Sequence, residues 1–458
     1  MAENQSMSLE AAKVTLSNKE RFFFTCGVIG MIVPFNLPLG YLTFFWTDVA
    51  LIPASIVGTF LMVCKIWDAI NDPIIGSLAD RTNSPKGRYR LWMIPAGILS
   101  NITVLMIFIS IPGVSKTVQY VYYFVSYFIQ VAAFTALELP HLSMMTTLTT
   151  DYKERGILTS WRQTGSQITM TIIAAAYIPM TVFLFPGNRQ MGYFVTTLIF
   201  VLVSAPFYFM CSYGVKERYI PPVEEKIPFR ENFKCFKGNL PLLMVMGAHF
   251  THGLKAGMGG AGMYFWTYVA GDILYAAVNA TFMSVGSILG AVLMGLVINK
   301  YPNKRNIAIA SWALSAVIGV LMFFIPVGTA SGRMMFNVVS LINGAIGFTG
   351  FVCLFSMVPD VSEYTMARYG LRASGFIFAV FNFCFKFAIS FGQGILGWVM
   401  GSMGYVPNQA QPESLINLFH LLMTVVPGCI TAIGIIFLVG FKINKDTHEE
   451  LLKTLSNA

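Results

Sequence analysis

Residues 22–47 read FFFTCGVIGMIVPFNLPLGYLTFFWT, an apolar run without a charged side chain. A helix that crosses a membrane needs roughly 20 mostly apolar residues, so this run is long enough. It is too long for the apolar segment of a secretion signal, and the polar residues 1–19 before it lack the order of such a signal. We therefore expect residues 22–47 to form the first transmembrane helix.

The whole chain repeats this pattern. Hydrophobic residues make up 55% of its 458 residues and charged residues only 11%, against about 25% charged residues in a soluble protein. Twelve apolar runs are long enough to span a membrane, at residues 22–47, 52–79, 91–112, 117–146, 157–184, 191–213, 241–269, 275–299, 306–327, 334–358, 373–402 and 415–441. The sequence predicts an all-α membrane protein with twelve transmembrane helices.

One long polar segment divides these helices into two groups of six. The predicted parts are an N-terminal bundle (1–213), a cytoplasmic connector (214–240), a C-terminal bundle (241–442) and a cytoplasmic tail (443–458). Two six-helix bundles joined in this way are typical of the major facilitator fold.

Lysine and arginine are distributed unevenly between the two ends of the predicted helices. With a cytoplasmic N-terminus, the cytoplasmic segments hold 23 of them and the opposite side holds 3. Because positive residues are enriched in cytoplasmic loops, we expect both termini in the cytoplasm and the protein in the inner (plasma) membrane. The formal net charge of +9 is explained by this topology, and no nucleic-acid partner is expected.

The sequence offers no motif of an enzyme. It has no HExxH, GxSxG or P-loop pattern, and its seven cysteines form no CxxC pair. We expect no enzymatic activity, no cofactor and no metal site apart from a site for a coupling cation.

Ionisable residues inside membrane helices are costly and usually mark a pathway or a site. Seven lie within the predicted helices: Lys65, Asp68, Asp72, Glu138, Arg162, Lys255 and Lys386. Four of them are basic and three are acidic.

The first three lie on predicted helix 2, in the sequence KIWDAINDP. The spacing of Lys65, Asp68 and Asp72 places their side chains on one helical face. Two carboxylates one turn apart repel each other unless a cation lies between them or one is protonated. The spacing therefore predicts a site for sodium, lithium or a proton. The alternative is a buried ion-pair network, in which Lys65 only balances the carboxylates.

Glu138 and Arg162 are the candidates for binding a solute. A carboxylate can accept hydrogen bonds from two sugar hydroxyls, and a guanidinium offers a planar set of donors. The alternative is a permanent bridge between the two. Trp161 and Tyr264 are candidates for stacking on a sugar ring, although buried aromatic residues often serve packing alone.

Predicted helices 7 and 11 carry two further basic residues, Lys255 and Lys386, which are also candidates for binding the substrate. Lys255 follows His249 and His252 in a polar stripe, and it lines either a cavity or the end of its helix. Lys386 has no acidic residue in its own helix, so its partner is either a carboxylate of the N-terminal half or water in a central cavity.

Charged residues at the cytoplasmic ends of the helices predict a gate. Arg88 belongs to a basic turn after helix 2, and Asp360 and Glu363 follow helix 10 in the other half, with Arg372 the next candidate. In a transporter whose two bundles rock, such opposite charges can pair in one state and separate in the other.

Five segments together resemble one transporter family. They are KIWDAINDPIIGSLADRTNSPKGRYRLW (65–92), ALELPHLSMM (136–145), ERGILTSWRQTGSQ (154–167), MVPDVSEYTMARYGLRASG (357–375) and GSMGYVPNQAQ (401–411). Their sequences and their order along the chain resemble those of the glycoside–pentoside–hexuronide:cation symporters, the melibiose permease family. The resemblance extends over the length of the chain.

The resemblance implies roles for several of these residues. It assigns Asp68 and Asp72 to the cation site and Lys386 to its neighbourhood. It places Glu138 at an acidic sugar-binding position, usually Asp, and Arg162 beside the sugar. Asp360, Glu363 and Arg372 match a polar cytoplasmic gate cluster.

Two departures bear on the solute. Ile32 stands where galactoside carriers of the family have an acidic residue, and Leu142 stands where they have a tryptophan. The predicted helices carry more basic than acidic residues, and in this the chain resembles the sulfoquinovose and hexuronide importers more than the galactoside carriers. We expect a monomer in membrane lipid that imports an anionic sugar with sodium or a proton. The alternatives are symport of a neutral glycoside or pentoside, and an uncoupled facilitator or exchanger.

Overall fold

A computed structural model of the protein describes residues 14–82, 84, 87–149, 151–218, 233–301, 303–369, 374–441 and 443. Within these ranges the regular secondary structure is helical, which confirms the all-α class. We number the principal helices α1 to α12 in chain order.

The helices before the polar connector are α1 (Asn18–Phe44), α2 (Ala54–Asp80), α3 (Arg90–Ile107), α4 (Lys116–Leu148), α5 (Tyr152–Phe183) and α6 (Arg189–Gly214). A π-helical turn, Phe45–Val49, continues α1. Polar side chains begin several of these helices: Ser115 accepts a hydrogen bond from the backbone N–H of Val118, as capping serines do.

The helices after the connector are α7 (Leu240–Gly257), α8 (Leu274–Lys300), α9 (Lys304–Met322), α10 (Ala330–Tyr369), α11 (Ser374–Ser402), α12a (Glu413–Met423) and α12b (Val425–Gly440). Short turns extend α7, namely a 3-10 turn at Met258–Gly260, one α-helical turn at Ala261–Tyr264 and a π-helical turn at Phe265–Val269.

Ten helices in the described part of the chain are long and apolar enough to cross a membrane. The count becomes eleven if α12a and α12b, which meet at a bend of 41°, form one span. The predicted span 241–269 is present as α7 and its extensions, but the 3-10 turn interrupts the continuous helix. The number twelve stays a prediction.

The chain divides into two compact units. The first contains Met1–Pro53 and Val63–Glu224, and the second contains Ala54–Met62 and Glu225–Ala458. The start of α2 thus belongs with the second unit, which the sequence did not predict. The predicted bundle boundaries stay predictions, and residues 219–232 of the predicted connector lie outside the described residues.

In the first unit, Tyr208 of α6 holds three helices together. Its hydroxyl oxygen lies 3.0 Å from the carbonyl oxygen of Gly30 on α1 and 3.1 Å from Asn101 Oδ1 on α3. A Cβ atom at Gly97 would lie 2.5 Å from the tyrosine ring, so only glycine leaves room for the ring. This packing fixes the frame that carries α4 and α5.

In the second unit, close backbone contacts hold the helices. A Cβ atom at Gly290 on α8 would lie 2.2 Å from the carbonyl oxygen of Ala345 on α10. Likewise, a Cβ atom at Gly397 on α11 would lie 2.5 Å from the carbonyl oxygen of Ala54. Small residues at such contacts allow the helix backbones of membrane proteins to approach closely.

Candidate transport site

The two predicted cation ligands meet a hydroxyl group from another helix. Thr135 Oγ1 on α4 lies 3.1 Å from Asp68 Oδ1 and 3.0 Å from Asp72 Oδ1, both on α2. Thr135 is fully buried, and Asp68 is 3% exposed. The structure therefore brings three oxygen-bearing side chains together in the first unit, of which Asp72 is only partly buried.

The geometry of this group suits a cation. A threonine hydroxyl has one proton, which Thr135 can donate to one of the two carboxylates or share between both. The two carboxylates lie close to the same hydroxyl oxygen, and three oxygens of this kind would suit a hard cation such as sodium.

Lys65 and Asn71 lie on the same helix as the two carboxylates. Lys65 Nζ lies 3.4 Å from Asp68 Oδ2, so this lysine offsets part of the negative charge, as the alternative interpretation of Lys65 expected. Asn71 is 3% exposed, and its side-chain nitrogen makes no hydrogen bond within the described residues. A buried amide nitrogen without a hydrogen bond is costly. Because this nitrogen is a donor, it suits an acceptor atom and not a cation.

Sequence reasoning missed Thr135 and Asn71. Thr135 precedes Glu138 by three residues, so it shares a face of α4 with a residue that was singled out. A neutral threonine gives no charge signal within a membrane helix, and its contact with α2 is a tertiary contact. The spacing on α4 was the one signal available for it.

Glu138 on α4 and Arg162 on α5 lie close enough for their charges to interact. The Nε atom of Arg162 is buried and has no hydrogen-bond partner within the described residues. A buried guanidinium with an unused donor is suited to an anionic ligand. Trp161, beside it in sequence, is partly buried. A permanent bridge between Glu138 and Arg162 and a role of both in binding the solute stay alternative predictions.

His141 is a buried neighbour of Glu138 that the sequence reasoning also missed. Its ring stacks on Phe24 at 4.5 Å between centroids, and its Nε2 atom lies 3.0 Å from the Phe24 carbonyl oxygen. Nε2 must therefore carry the proton and donate it. Because the ring faces α1, His141 fixes α4 against α1 in the first unit.

The histidines of α7 lie among aromatic rings of the second unit. His249 stacks on Phe381 at 3.6 Å between ring centroids, and His252 stacks on Phe351 at 4.3 Å. Lys255 lies in the last turn of α7, which is one of its two predicted positions. Lys386 lies within α11.

Tyr264 has a packed environment. Its side chain is fully buried, with its ring 5.4 Å from that of Phe419 and 5.5 Å from that of Tyr405 between centroids. These contacts account for the tyrosine by packing alone, and a contact with sugar stays a prediction.

Two of the predicted gate residues, Asp360 and Arg88, have a partner inside their own unit. Both carboxylate oxygens of Asp360 lie 2.8 Å from Lys304 Nζ. The backbone N–H of Arg88 donates to Glu217 at 3.1 Å. Glu363 lies in α10, and Arg372 lies outside the described residues. The gate itself stays a prediction.

A family model described as "MFS/sugar transport protein" matches residues 23–445. The chain belongs to this family. It is a membrane transporter with the major facilitator fold and not an enzyme. The predicted resemblance is thereby confirmed at the level of the family, while the branch is only suggested.

Three relatives illustrate the range of the family. The chain is 29% identical to "Uncharacterized symporter YjmB" of Bacillus subtilis (strain 168), over 99% of this chain and 98% of that protein. It is 28% identical to "Isoprimeverose transporter" of Lactiplantibacillus pentosus, over 93% and 89%. It is 26% identical to "Putative sulfoquinovose importer" of Escherichia coli (strain K12), over 93% and 90%.

A solved structure agrees on the fold. The crystal structure of nucleoside transporter NupG superposes with a TM-score of 0.61 at 12% identity, covering 93% of this chain and 100% of that one. At this identity the likeness concerns the fold alone.

Proposed function

We propose that this transporter imports a sugar together with a monovalent cation, sodium or a proton, by alternating access. In this proposal the cation binds Asp68, Asp72 and Thr135. The protein lies in the inner membrane with both termini in the cytoplasm.

The observation that carries the proposal is the position of Thr135 Oγ1 between two carboxylates, at 3.1 and 3.0 Å. An uncoupled facilitator gains nothing from two acidic groups on one face of a spanning helix, because each is costly in a membrane. A symporter uses them, since the added cation removes their mutual repulsion. Binding of the cation thereby pulls α2 and α4 together.

We further propose that the solute is an anionic sugar, such as a sulfosugar or a hexuronide. Arg162 supports this because its buried Nε atom has an unused donor. The relative named a putative sulfoquinovose importer is consistent with such a solute. The relative named an isoprimeverose transporter favours the alternative, a neutral glycoside.

Uptake into proteoliposomes that contain the full chain tests the coupling. The solute is whichever of sulfoquinovose, a hexuronide and a neutral glycoside raises the melting temperature of the purified protein most. An inward sodium or proton gradient should drive accumulation above the external concentration. Asp72→Asn should reduce accumulation to the equilibrium level but leave exchange of labelled for unlabelled solute.

Asp272→Asn is the matched control. Asp272 lies in the second unit, 3.7 Å from Arg333, so its neutralisation should leave coupled uptake unchanged. If both Asp68→Asn and Asp72→Asn still accumulate the solute as well as the wild type does, these carboxylates do not form the cation site and the proposal is rejected. If wild-type uptake does not depend on any cation gradient, the protein is an uncoupled facilitator instead.

A further inference from the structure

The helices α8 and α9 leave a cleft between them in the second unit. Both pack extensively against α10 but hardly against each other. A cavity of about 420 Å³ lies where α8 ends and α9 begins. The cleft is therefore open to the surroundings of the helix pair, and α10 forms its floor.

The cavity is amphipathic. Val297, Ile307 and Ala310 supply apolar walls, and Tyr301 and Asn306 supply polar groups near the connection between the helices. A ligand that fits it has a polar end at the connection and an apolar part along the helices.

An exposed apolar stripe continues from the cavity along α8. Leu296, Leu293 and Leu289 are spaced by three and four residues, and their exposed fractions are 65%, 41% and 45%. On α9, Leu314 and Val317 are 50% and 56% exposed. Such surfaces are solvated by lipid acyl chains in a membrane protein.

Two basic residues, Lys300 and Arg305, are neighbours in sequence of the lining residues Tyr301 and Asn306. Lys300 is exposed, and its Nζ atom lies 5.6 Å from the ring centroid of Tyr301. Arg305 donates to the last carbonyl groups of α12b, at 3.1 and 2.7 Å. Neither residue forms a salt bridge within the described part of the chain, whereas Lys304 between them is paired with Asp360.

We propose that this cleft binds an anionic phospholipid, with its phosphate beside Lys300 and an acyl chain along α8. Basic pockets between membrane helices on the cytoplasmic side bind anionic lipid head groups, and the connection 301–303 is on that side in the predicted topology. A bilayer supplies both the phosphate and the acyl chain that the cavity and the stripe require. A free phosphate ion leaves the apolar walls unused.

Native mass spectrometry of the full chain in detergent tests the proposal. The protein is titrated with dioleoyl-phosphatidylglycerol or with dioleoyl-phosphatidylcholine, and bound lipids are counted. The wild type should retain one phosphatidylglycerol in preference to phosphatidylcholine. Lys300→Gln should weaken that binding about fivefold, the effect of one basic residue near an anionic membrane surface.

Two variants separate the cleft from general charge effects. Ala310→Leu fills the cavity without changing charge and should also lower phosphatidylglycerol occupancy. Ala310 is exposed, so the larger side chain disturbs no buried packing. Lys216→Gln removes an exposed lysine that follows α6 and should leave occupancy unchanged.

The proposal is overturned if Lys300→Gln and Ala310→Leu both retain the lipid as well as Lys216→Gln does. It is equally overturned if all three variants lose the lipid to the same extent, because binding would then follow net charge. Displacement of the lipid by millimolar inorganic phosphate would identify a free anion as the occupant and would also reject the proposal.

Discussion

The first spanning segments of the two units end in nearly the same seven residues, FWTDVAL at 45–51 and FWTYVAG at 265–271. Both copies form a π-helical turn over their first five residues. In the first copy the N–H of Ile52 donates to the carbonyl oxygen of Trp46 at 2.9 Å, and in the second that of Asp272 donates to Trp266 at 2.8 Å. One backbone motif therefore closes the first segment of each unit.

The two copies differ in their chemistry. Asp48 is 2% exposed and accepts a hydrogen bond from the Thr47 hydroxyl at 2.6 Å. Its counterpart Tyr268 instead accepts hydrogen bonds from Tyr405 and from the backbone of Asn408, at 3.1 and 3.0 Å. The repeat thus preserves backbone geometry, while the first unit carries an acidic group where the second carries a phenol.

The same contrast extends to the spanning helices. The predicted spans of the first unit include the carboxylates of Asp68, Asp72 and Glu138, whereas those of the second unit include only the basic Lys255 and Lys386 as fully charged groups. A cation is attracted to the first set. The proposed division of labour places cation binding in the first unit, with the solute held by Arg162 of that unit.

The largest expected effect compares Arg162 with Lys255. Arg162→Ala should weaken binding of an anionic sugar by tenfold to a hundredfold, since hydrogen bonds to charged groups contribute about 1.5–3 kcal/mol. Binding of the matching neutral sugar should fall much less. Lys255→Ala should affect both sugars alike, because Lys255 belongs to the second unit and the proposal assigns the anionic group to Arg162 of the first.

Isothermal titration calorimetry with the two sugars gives these ratios. Equal losses for both sugars in Arg162→Ala would mean that Arg162 only holds Glu138 in place. A selective loss of the anionic sugar in Lys255→Ala would move part of the solute site to the second unit.

The next effect compares the tryptophans of the two turns. Trp46 Nε1 donates to the carbonyl oxygen of Ile107 at 3.1 Å, at the end of α3, where helix carbonyl groups lack helical partners. The Nε1 atom of Trp266 is buried without a hydrogen bond in the described part of the chain. Trp46→Phe should therefore destabilise by about 2 kcal/mol, since it leaves a buried acceptor unpaired.

Trp266→Phe removes the same ring volume but no hydrogen bond, so its cost should be roughly half as large. Urea denaturation of both variants in the same detergent measures the difference. Equal losses would indicate that ring packing alone determines the contribution of both tryptophans.

The sequence predicted the helices well where hydropathy and helix coincide. Predicted span 117–146 corresponds to α4, Lys116–Leu148. Predicted span 334–358 was shorter than the helix, because α10 continues to Tyr369. The residues after 358 are more polar, so hydropathy alone does not reveal that the helix continues. The first span was predicted to end at 47, one residue before Asp48, so this buried carboxylate was missed.

Those parts of the candidate transport site that lie on one helix could be predicted from helical spacing. Asp68 and Asp72 share a face of one helix, and their charge marks them in an apolar sequence. Thr135 was not predicted because its contact with them depends on how α4 packs on α2. The repeat at 45–51 and 265–271 is present in the sequence, but it was not predicted because hydropathy does not mark it.

The smallest expected effect compares the residues that end the two turns. Gly271 has a φ of +73° and its counterpart Leu51 has a φ of +58°, both in the left-handed region that disfavours side chains with a Cβ atom. A Cβ atom at Gly271 would have no neighbour within 4 Å, and Leu51 is 59% exposed. Backbone strain can therefore be measured here with little interference from packing.

Gly271→Ala should destabilise the protein by about 1 kcal/mol, the usual cost of this conformation for a residue with a Cβ atom. Leu51→Asn should stabilise it by a few tenths of a kcal/mol, because asparagine tolerates the left-handed region. Denaturation midpoints of the two variants should thus move in opposite directions. If Gly271→Ala leaves the midpoint unchanged, the second turn relaxes its backbone and the two copies of the motif are not equivalent in strain.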